Sequence, residues 1–413
     1  MKVLHVTAHL GGGVGKAHSA LCVATDPAIQ RNYVLLETPR DRRFADQVEA
    51  AGGRLTIAPD SATLAALAAD ADIVQIEWWN HPRLYAALCS TPFPAMRTVF
   101  WCHISGLFAP FIPASLYQAA DRFVFTSPCS LAMPDVLALP DHARAGLEAI
   151  GSGFGFAGAA PNQPAAARHP RRIGYLGTLD FAKMSPQFFK MVDAVEADPF
   201  QVSLWGACDP DGPVAQAARR MRHPDRIRFE GHVDDPAAVL SETGIFLYLL
   251  QPEHYGTAEN ALVEAMSLGC VPLVLANPAE QAIVDHGVTG FTEVDIPAAA
   301  RRLEGMLGHP ETLCEIGRNA MAATAATRTP VLSATRFQRL YTDLLRSEKR
   351  PLDFKALLGE TPAQWFLGTQ MRGPLTAGAA QDLLRGFAAA GSEAKGSLVH
   401  FRSCFPDDPS LAV

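Results

Sequence analysis

Short apolar runs alternate with helix-length amphipathic stretches along most of this chain, and they do so in two separate series. The first series of runs is 3–7, 33–37, 54–58, 73–78, 98–103 and 123–127, with helical patterns such as 42–51 and 63–69 between them. The second is 173–177, 201–205, 226–230, 245–250, 271–275 and 291–294, interleaved with helical patterns at 185–197, 213–222, 259–268 and 280–286. Strands that stay apolar along their length are covered on both faces, as in a parallel sheet. Strand–helix–strand alternation then predicts a doubly wound α/β domain, twice over. Between the two series, residues 151–172 are rich in Gly, Ala and Pro and read as a linker. The expected organisation is a Rossmann-like domain over 1–160, a second over 170–330, and helices with a tail over 331–413. Long helices are expected from 298 to 346. The tail beyond 351 loses the strand rhythm, keeping one helical stretch near 379–390 together with Trp365 and Phe366. It reads as packing against a domain surface or as a partner-binding extension.

Composition removes several classes. The chain has 413 residues, 48% apolar and 19% charged, with a net charge of −7. That is an ordinary globular balance. An acidic chain lacks the clustered positive charge of a nucleic-acid binder, so none is expected as a partner. No apolar run approaches the roughly 18 residues of a membrane span. The first 150 residues hold 11 Lys/Arg against 13 Asp/Glu, so at most weak peripheral membrane contact is expected. The N-terminus moves straight into a strand pattern, which predicts no secretory leader. Eight scattered cysteines form no CxxC pair, which argues against a zinc ribbon or thioredoxin-like site and fits a reducing cytoplasm.

Ligands of open α/β sheets bind beyond the carboxyl ends of the strands. Two such domains would face each other across a cleft. The first strand-end loop is Leu10-Gly11-Gly12-Gly13-Val14-Gly15-Lys16. It is not a P-loop, because Leu10 stands at the first Gly position and Ala17 at the Ser/Thr. It suits a phosphate or sugar through Gly12, Gly13 and Val14, or it is simply a tight turn. Gly153-Phe154-Gly155-Phe156-Ala157-Gly158 matches GxGxxG, but Pro161 and Pro164 follow where a helix is needed, so it reads as linker. The pairs Asp70/Asp72 and Asp209/Asp211 resemble metal-binding DxD motifs and read better as solvated turns.

Residues 253–291 read EHYGTAENALVEAMSLGCVPLVLANPAEQAIVDHGVTGF. Glu264-Ala265-Met266 and Gly269 resemble the E-A-M-x-x-G-x-P of the retaining glycosyltransferases of family 4, which have the GT-B fold, with Pro272 one position beyond that motif's proline. Pro278-Ala279-Glu280 and the run from His286 to Phe291 resemble that family's P-E and D-G-x-x-G endings, with His286 in the acid's place. Gly231-His232-Val233-Asp234-Asp235 resembles its G-x-V-x-D, and Gly177-Thr178-Leu179 with Lys183 its G-R-L-x-x-x-K. The resemblance spans roughly residues 1–346. It implies two Rossmann-like domains, a nucleoside diphosphate sugar as donor substrate, no metal and no cofactor.

The residues support that chemistry on their own terms. Glu264 lies mid-helix among apolar neighbours, where a carboxylate needs a partner. Two ribose hydroxyls offer one, at roughly 1.5–3 kcal/mol per charge-assisted bond. Tyr255, Gly256, Thr257 and Ala258 lead into the helix through Asn260, whose N-terminus can donate to a diphosphate. Lys183 supplies a cation for the leaving group, beside Gly177 and Thr178. Two departures stand out. Gly256 occupies the first position of the family's E-x7-E pattern, leaving Glu253 or Glu259 to substitute, with the helix-start position favouring Glu259. Thr178 replaces the arginine, leaving Lys183 alone unless Arg171 or Arg172 reaches in. On the acceptor side, His103 ends a strand, and Trp78, Trp79 and His81 end its neighbour.

The expectation is a cytoplasmic retaining hexosyltransferase. It would pass a sugar to a glycan, lipid-linked or small-molecule acceptor, as in cell-envelope or other polysaccharide biosynthesis. Lys183, His103 and Glu259 would be its catalytic groups. Thr178 and Gly256 also fit a catalytically silent relative, a regulator or scaffold that binds a nucleotide sugar or glycan. An epimerase of the same fold would need more acid–base groups in the strand-end loops.

Overall fold

The computed structural model describes residues 1–153, 169–197, 199–373, 375–392 and 394–412. The chain divides into two compact units, Met1–Ser152 with Val331–Val413, and Gly153–Pro330. Residues 331–413, set apart in the sequence reading, therefore fold with the first sheet. Most of the GxGxxG run lies outside the described residues.

Unit 1 is built on a seven-stranded parallel sheet. Its strands are β1 (Lys2–Thr7), β2 (Gln30–Leu35), β3 (Arg54–Ile57), β4 (Ile73–Trp78), β5 (Thr98–Cys102), β6 (Arg122–Phe125) and β7 (Leu147–Ala149), in the order β3-β2-β1-β4-β5-β6-β7. The direction of winding reverses between β1 and β4. Both are buried almost throughout, which is why their sequences run apolar without alternation. The helix Gly12–Ala24 follows β1. Gly15 is obligatory there, because a Cβ would stand 2.2 Å from the Leu10 carbonyl oxygen.

The tail completes this unit's core. Trp365 stacks on Tyr85 with ring centroids 6.0 Å apart, and Phe366 and Phe401 meet edge-on at 5.5 Å. Phe354, Phe366, Leu398 and Phe401 are buried in the cluster that contains Tyr85, Phe100 and Phe123. Arg372 closes the arrangement with an ion pair to Asp135 and a bond to the Gly106 carbonyl. The tail carries the short helices Phe354–Leu358, Pro362–Leu367 and Leu398–Cys404 besides the expected one, Ala377–Ala390.

Unit 2 holds a six-stranded parallel sheet of β8 (His169–Leu176), β9 (Val202–Trp205), β10 (Ile227–Gly231), β11 (Thr243–Tyr248), β12 (Val271–Leu275) and β13 (Phe291–Glu293). Its order is β10-β9-β8-β11-β12-β13, so the reversal falls between β8 and β11. β8 begins at His169, inside the stretch expected to be linker, because Thr243 and Ile245 of β11 extend the pairing back to it. Among the described residues no helix is long and apolar enough to cross a membrane.

Candidate functional site

In unit 2 the chemistry gathers at the β8/β11 reversal, the place where adjacent loops splay apart and leave a crevice. After β8 the chain makes a tight turn. The Asp180 carbonyl accepts from the amides of Lys183 (3.0 Å) and Met184 (2.8 Å). The Lys183 carbonyl in turn accepts from the Gln251 amide at 2.9 Å, so the turn is pinned to the chain leaving β11. This fixes Lys183 with its ammonium 3.1 Å from Glu259 Oε2. Tyr248, at the end of β11, donates its hydroxyl to the same oxygen at 2.8 Å.

Glu259 immediately precedes the Asn260–Ser267 helix in a left-handed conformation, φ 39 and ψ 55. A non-glycine residue held there stores strain of order 1–3 kcal/mol. Favoured in the sequence for its place at the helix start, it makes no side-chain capping bond and is buried. The left-handed turn is compatible with an inward carboxylate, where Lys183 and Tyr248 hold it. Gly256 explains how the carboxylate fits. A Cβ on Gly256 would lie 2.3 Å from Glu259 Oε1 and 2.8 Å from His254 Nδ1. The space beside position 256 is thus filled by the acid three residues later.

His254 backs this carboxylate. Its Nδ1 accepts the Gly256 amide (3.1 Å), so Nε2 bears the hydrogen and faces Glu280 at 3.3 and 3.4 Å. Asn277 also donates to Glu280, at 3.0 Å. Burial works against charge on Lys183, yet Glu259 and the nearby tyrosines outweigh it and hold the ammonium above its ordinary range. Burial likewise opposes the Glu259 charge, and Lys183 and His254 overcome it, lowering that carboxyl. The pair is therefore ionic and preformed. Glu259 Oε1 nevertheless has no hydrogen-bond partner among the described residues. A buried carboxylate oxygen without a donor is a place for a ligand hydroxyl.

The other expected donor contacts are distributed unevenly. Glu264 is buried on the Asn260–Ser267 helix, but the ion pair of Lys183 is to Glu259. Thr257 is buried, Ala258 and Asn260 are half-buried, and Tyr255 is exposed. Gly177 gives its amide to the Trp205 carbonyl at 3.0 Å, and Thr178 is exposed. Arg172 does not reinforce Lys183: it lies within β8, pairs with Glu242, and stands over the Trp205 ring. Asp209 and Asp211 form the expected exposed turn, the Asp211 amide bonding Asp209 Oδ1 at 3.0 Å.

In unit 1, Gly12, Gly13 and Val14 are not a free loop but the first turn of the Gly12–Ala24 helix. Trp78, named on the acceptor side as the end of its strand, is fully buried in the core as the last residue of β4. His103 follows β5 with its side chain 6% exposed and its Nε2 3.1 Å from Glu77 Oε2. Neutral His103 then presents its lone pair on Nδ1. Glu77 is fully buried and lies close to His5 Nδ1 (2.9 Å), His18 Nε2 (3.1 Å) and Gln75 Nε2 (3.0 Å). Burial alone would raise its pKa, but the histidines around it bring it well below the ordinary carboxylate value. This cluster has the make-up of a metal site. Arg31 donates to His5 Nε2 at 2.8 Å, so His5 carries hydrogen on Nδ1, the atom a metal there would require. Sequence reasoning passed over Glu77, Tyr248 and His254, and named Glu280 only as part of the P-E resemblance. The signal for Glu77 was present, two polar residues inside the otherwise apolar run 73–78.

Residues 170–309 match the family model Glycosyl transferases group 1. No curated protein matches the chain in sequence. Among solved structures, a glycosyltransferase from Rickettsia africae superposes with a TM-score of 0.67 at 12% identity, covering 84% of this chain and 99% of that one. Anabaena HepE in complex with UDP-glucose gives 0.63 at 15% identity, over 83% of this chain and 100% of that one. Sucrose-phosphate synthase from Thermosynechococcus elongatus gives 0.62 at 17%, over 84% and 100%. Residues 170–309 are thus similar to the glycosyl transferases group 1 family, and the two-domain α/β fold of the chain resembles that of the GT-B glycosyltransferases.

Proposed function

We propose that the chain transfers a sugar from a nucleoside diphosphate sugar to an acceptor hydroxyl, with retention at the anomeric carbon and without a metal. The observation that carries this reading is the ionic pair Lys183–Glu259 at the β8/β11 reversal, with one carboxylate oxygen left for a ligand. Lys183 meets the diphosphate and stabilises the charge that develops as the bond to the anomeric carbon breaks. As Lys183 turns to the phosphates, Glu259 accepts hydroxyls of the donor sugar, and Glu264 those of the ribose. The new bond joins the anomeric carbon to the acceptor oxygen on the same face. The acceptor proton passes to the departing phosphate oxygen, so no enzyme base is consumed. Unit 1 takes the acceptor, with His103 Nδ1 accepting one of its hydroxyls. Glycan or envelope biosynthesis in the cytoplasm is the setting we assign.

Calorimetry of the purified chain with UDP-, GDP- and ADP-glucose tests the reading. HepE, crystallised with UDP-glucose, supports trying the uridine donor first. Saturable heat with one donor is expected, and none with any of them overturns the proposal. Thr178, standing where the family has an arginine, favours a second reading in which the chain binds the donor and performs no transfer. Binding without turnover across sugar, glycan and lipid acceptors would select it.

A further inference from the structure

We infer that the β1/β4 reversal of unit 1 is an anion site, closed over by the C-terminal tail, for the phosphate or carboxylate group of the acceptor. Assigning the anion to the acceptor rests on the transferase reading. The site itself rests on three histidines whose tautomers are fixed by the backbone. His9, in the loop after β1, accepts the Gly11 amide on Nδ1 at 2.9 Å. His81, after β4, accepts the Arg83 amide on Nδ1 at 3.2 Å. His400, on the tail, accepts the Gly396 amide on Nδ1 at 2.9 Å. A neutral imidazole whose Nδ1 accepts must carry its hydrogen on Nε2. Three Nε2–H donors are thus prepared in one place, with His81 4.8 Å from His400 and 5.8 Å from His9 between ring centroids.

The charges around them agree. Lys395 lies over the Trp79 ring at 5.4 Å, and Arg40 and Arg83 act electrostatically on the same histidines. Glu37 is the carboxylate facing them, 3.8 Å from His9 Nε2 and 3.6 Å from His81 Nε2, beyond hydrogen-bond length. Burial and these cations hold His9 neutral, its pKa lowered to about 4. Asn80, in the same loop as His81, is buried with an Nδ2 that has no partner among the described residues. The tail is pressed onto this loop at Gly396, where a Cβ would stand 2.6 Å from Asn80 Nδ2. His9, His81 and Glu37 could be mistaken for a metal site. Both imidazoles present N–H rather than a lone pair, which suits an anion and excludes a cation in this arrangement.

The test is calorimetry on the full chain held at saturating UDP, with glucose 6-phosphate, glucuronate, inorganic phosphate and uncharged glucose as probes. Glucose 6-phosphate or glucuronate should bind saturably and glucose should not, and the one that binds distinguishes phosphate from carboxylate. The double variant Lys395→Met/His400→Gln should weaken that binding at least tenfold while UDP affinity stays unchanged. Absence of saturable binding by all three anions overturns the inference. So does displacement of the anion by UDP, wild-type binding by the double variant, or competition by zinc. If UDP binds and the anions do not, this inference fails alone. If the anions bind and no nucleotide does, the donor reading fails and the anion site stands.

Discussion

Glu259 and Gly256 form one device, and both can be tested singly. Glu259→Gln keeps the shape and removes the charge facing Lys183. Breaking a fully buried pair costs about 3–5 kcal/mol, and the 34% exposure of the Lys183 side chain reduces that to roughly 1–3. Urea denaturation should show this loss in the first unfolding transition that involves unit 2. Gly256→Ala places a methyl group where the carboxylate sits, so donor affinity should fall about tenfold or more by calorimetry with the fold retained by circular dichroism. Lys183→Met should lower kcat by roughly 10²–10³ if the ammonium acts on developing charge. An unchanged rate would remove it from the mechanism. These residues were legible because their types are chemical and their loops follow strands. Lys183, Glu259 and Gly256 could be named from sequence alone. That the acid fills the space beside the glycine could not, because it depends on a left-handed backbone at position 259 that no motif announces. The contact of His254 with Glu280 was hidden for a different reason: 26 residues separate the partners.

Central strands were the easiest elements to read, and the tail the hardest. Ile73–Trp78 and Val271–Leu275 are bounded as their apolar runs predict, since burial on both faces writes itself into the sequence. The edge strand Leu147–Ala149 has three half-buried residues and gave no such signal. The tail helices are five to fourteen residues long and bury aromatics at irregular spacing, so their partners lie far away in sequence. Trp365 stacks on Tyr85 and Phe401 packs on Phe366, which makes the tail part of the core of unit 1. Trp365→Ala should therefore cost about 3–5 kcal/mol in denaturant unfolding, as for a large core aromatic. A detachable partner-binding extension would lose almost nothing.

Both sheets reverse their winding once, and the candidate sites lie at those reversals, β8/β11 in unit 2 and β1/β4 in unit 1. The two sites differ in how they hold charge. Unit 2 buries an ion pair, whereas unit 1 buries imidazoles kept neutral. His5 is lowered to about 3, His9 to about 4 and His81 to about 2, in each case chiefly by burial. In the unfolded chain all three return to about 6.5. Between pH 6.5 and 4 the unfolded state binds protons that the folded state refuses, so stability must fall as pH falls. Each group contributes about 1.4 kcal/mol per pH unit once the pH is below 6.5, and roughly 3–4 kcal/mol in all should be lost between pH 7 and 5.5. His254 works the other way, its pKa being raised by Glu280 against burial, so it favours the folded state more as pH falls. That contribution belongs to unit 2 and cannot mask unit 1 in a local probe. Four of the five tryptophans, Trp78, Trp79, Trp101 and Trp365, lie in unit 1, so their fluorescence reports it. Tryptophan-monitored denaturation at pH 7 and 5.5 should show the loss. His81→Gln, which cannot take up the proton in either state, should make the dependence shallower. A flat profile would mean that these imidazoles accept protons in the folded chain, and the donor geometry assigned to them would fall with it.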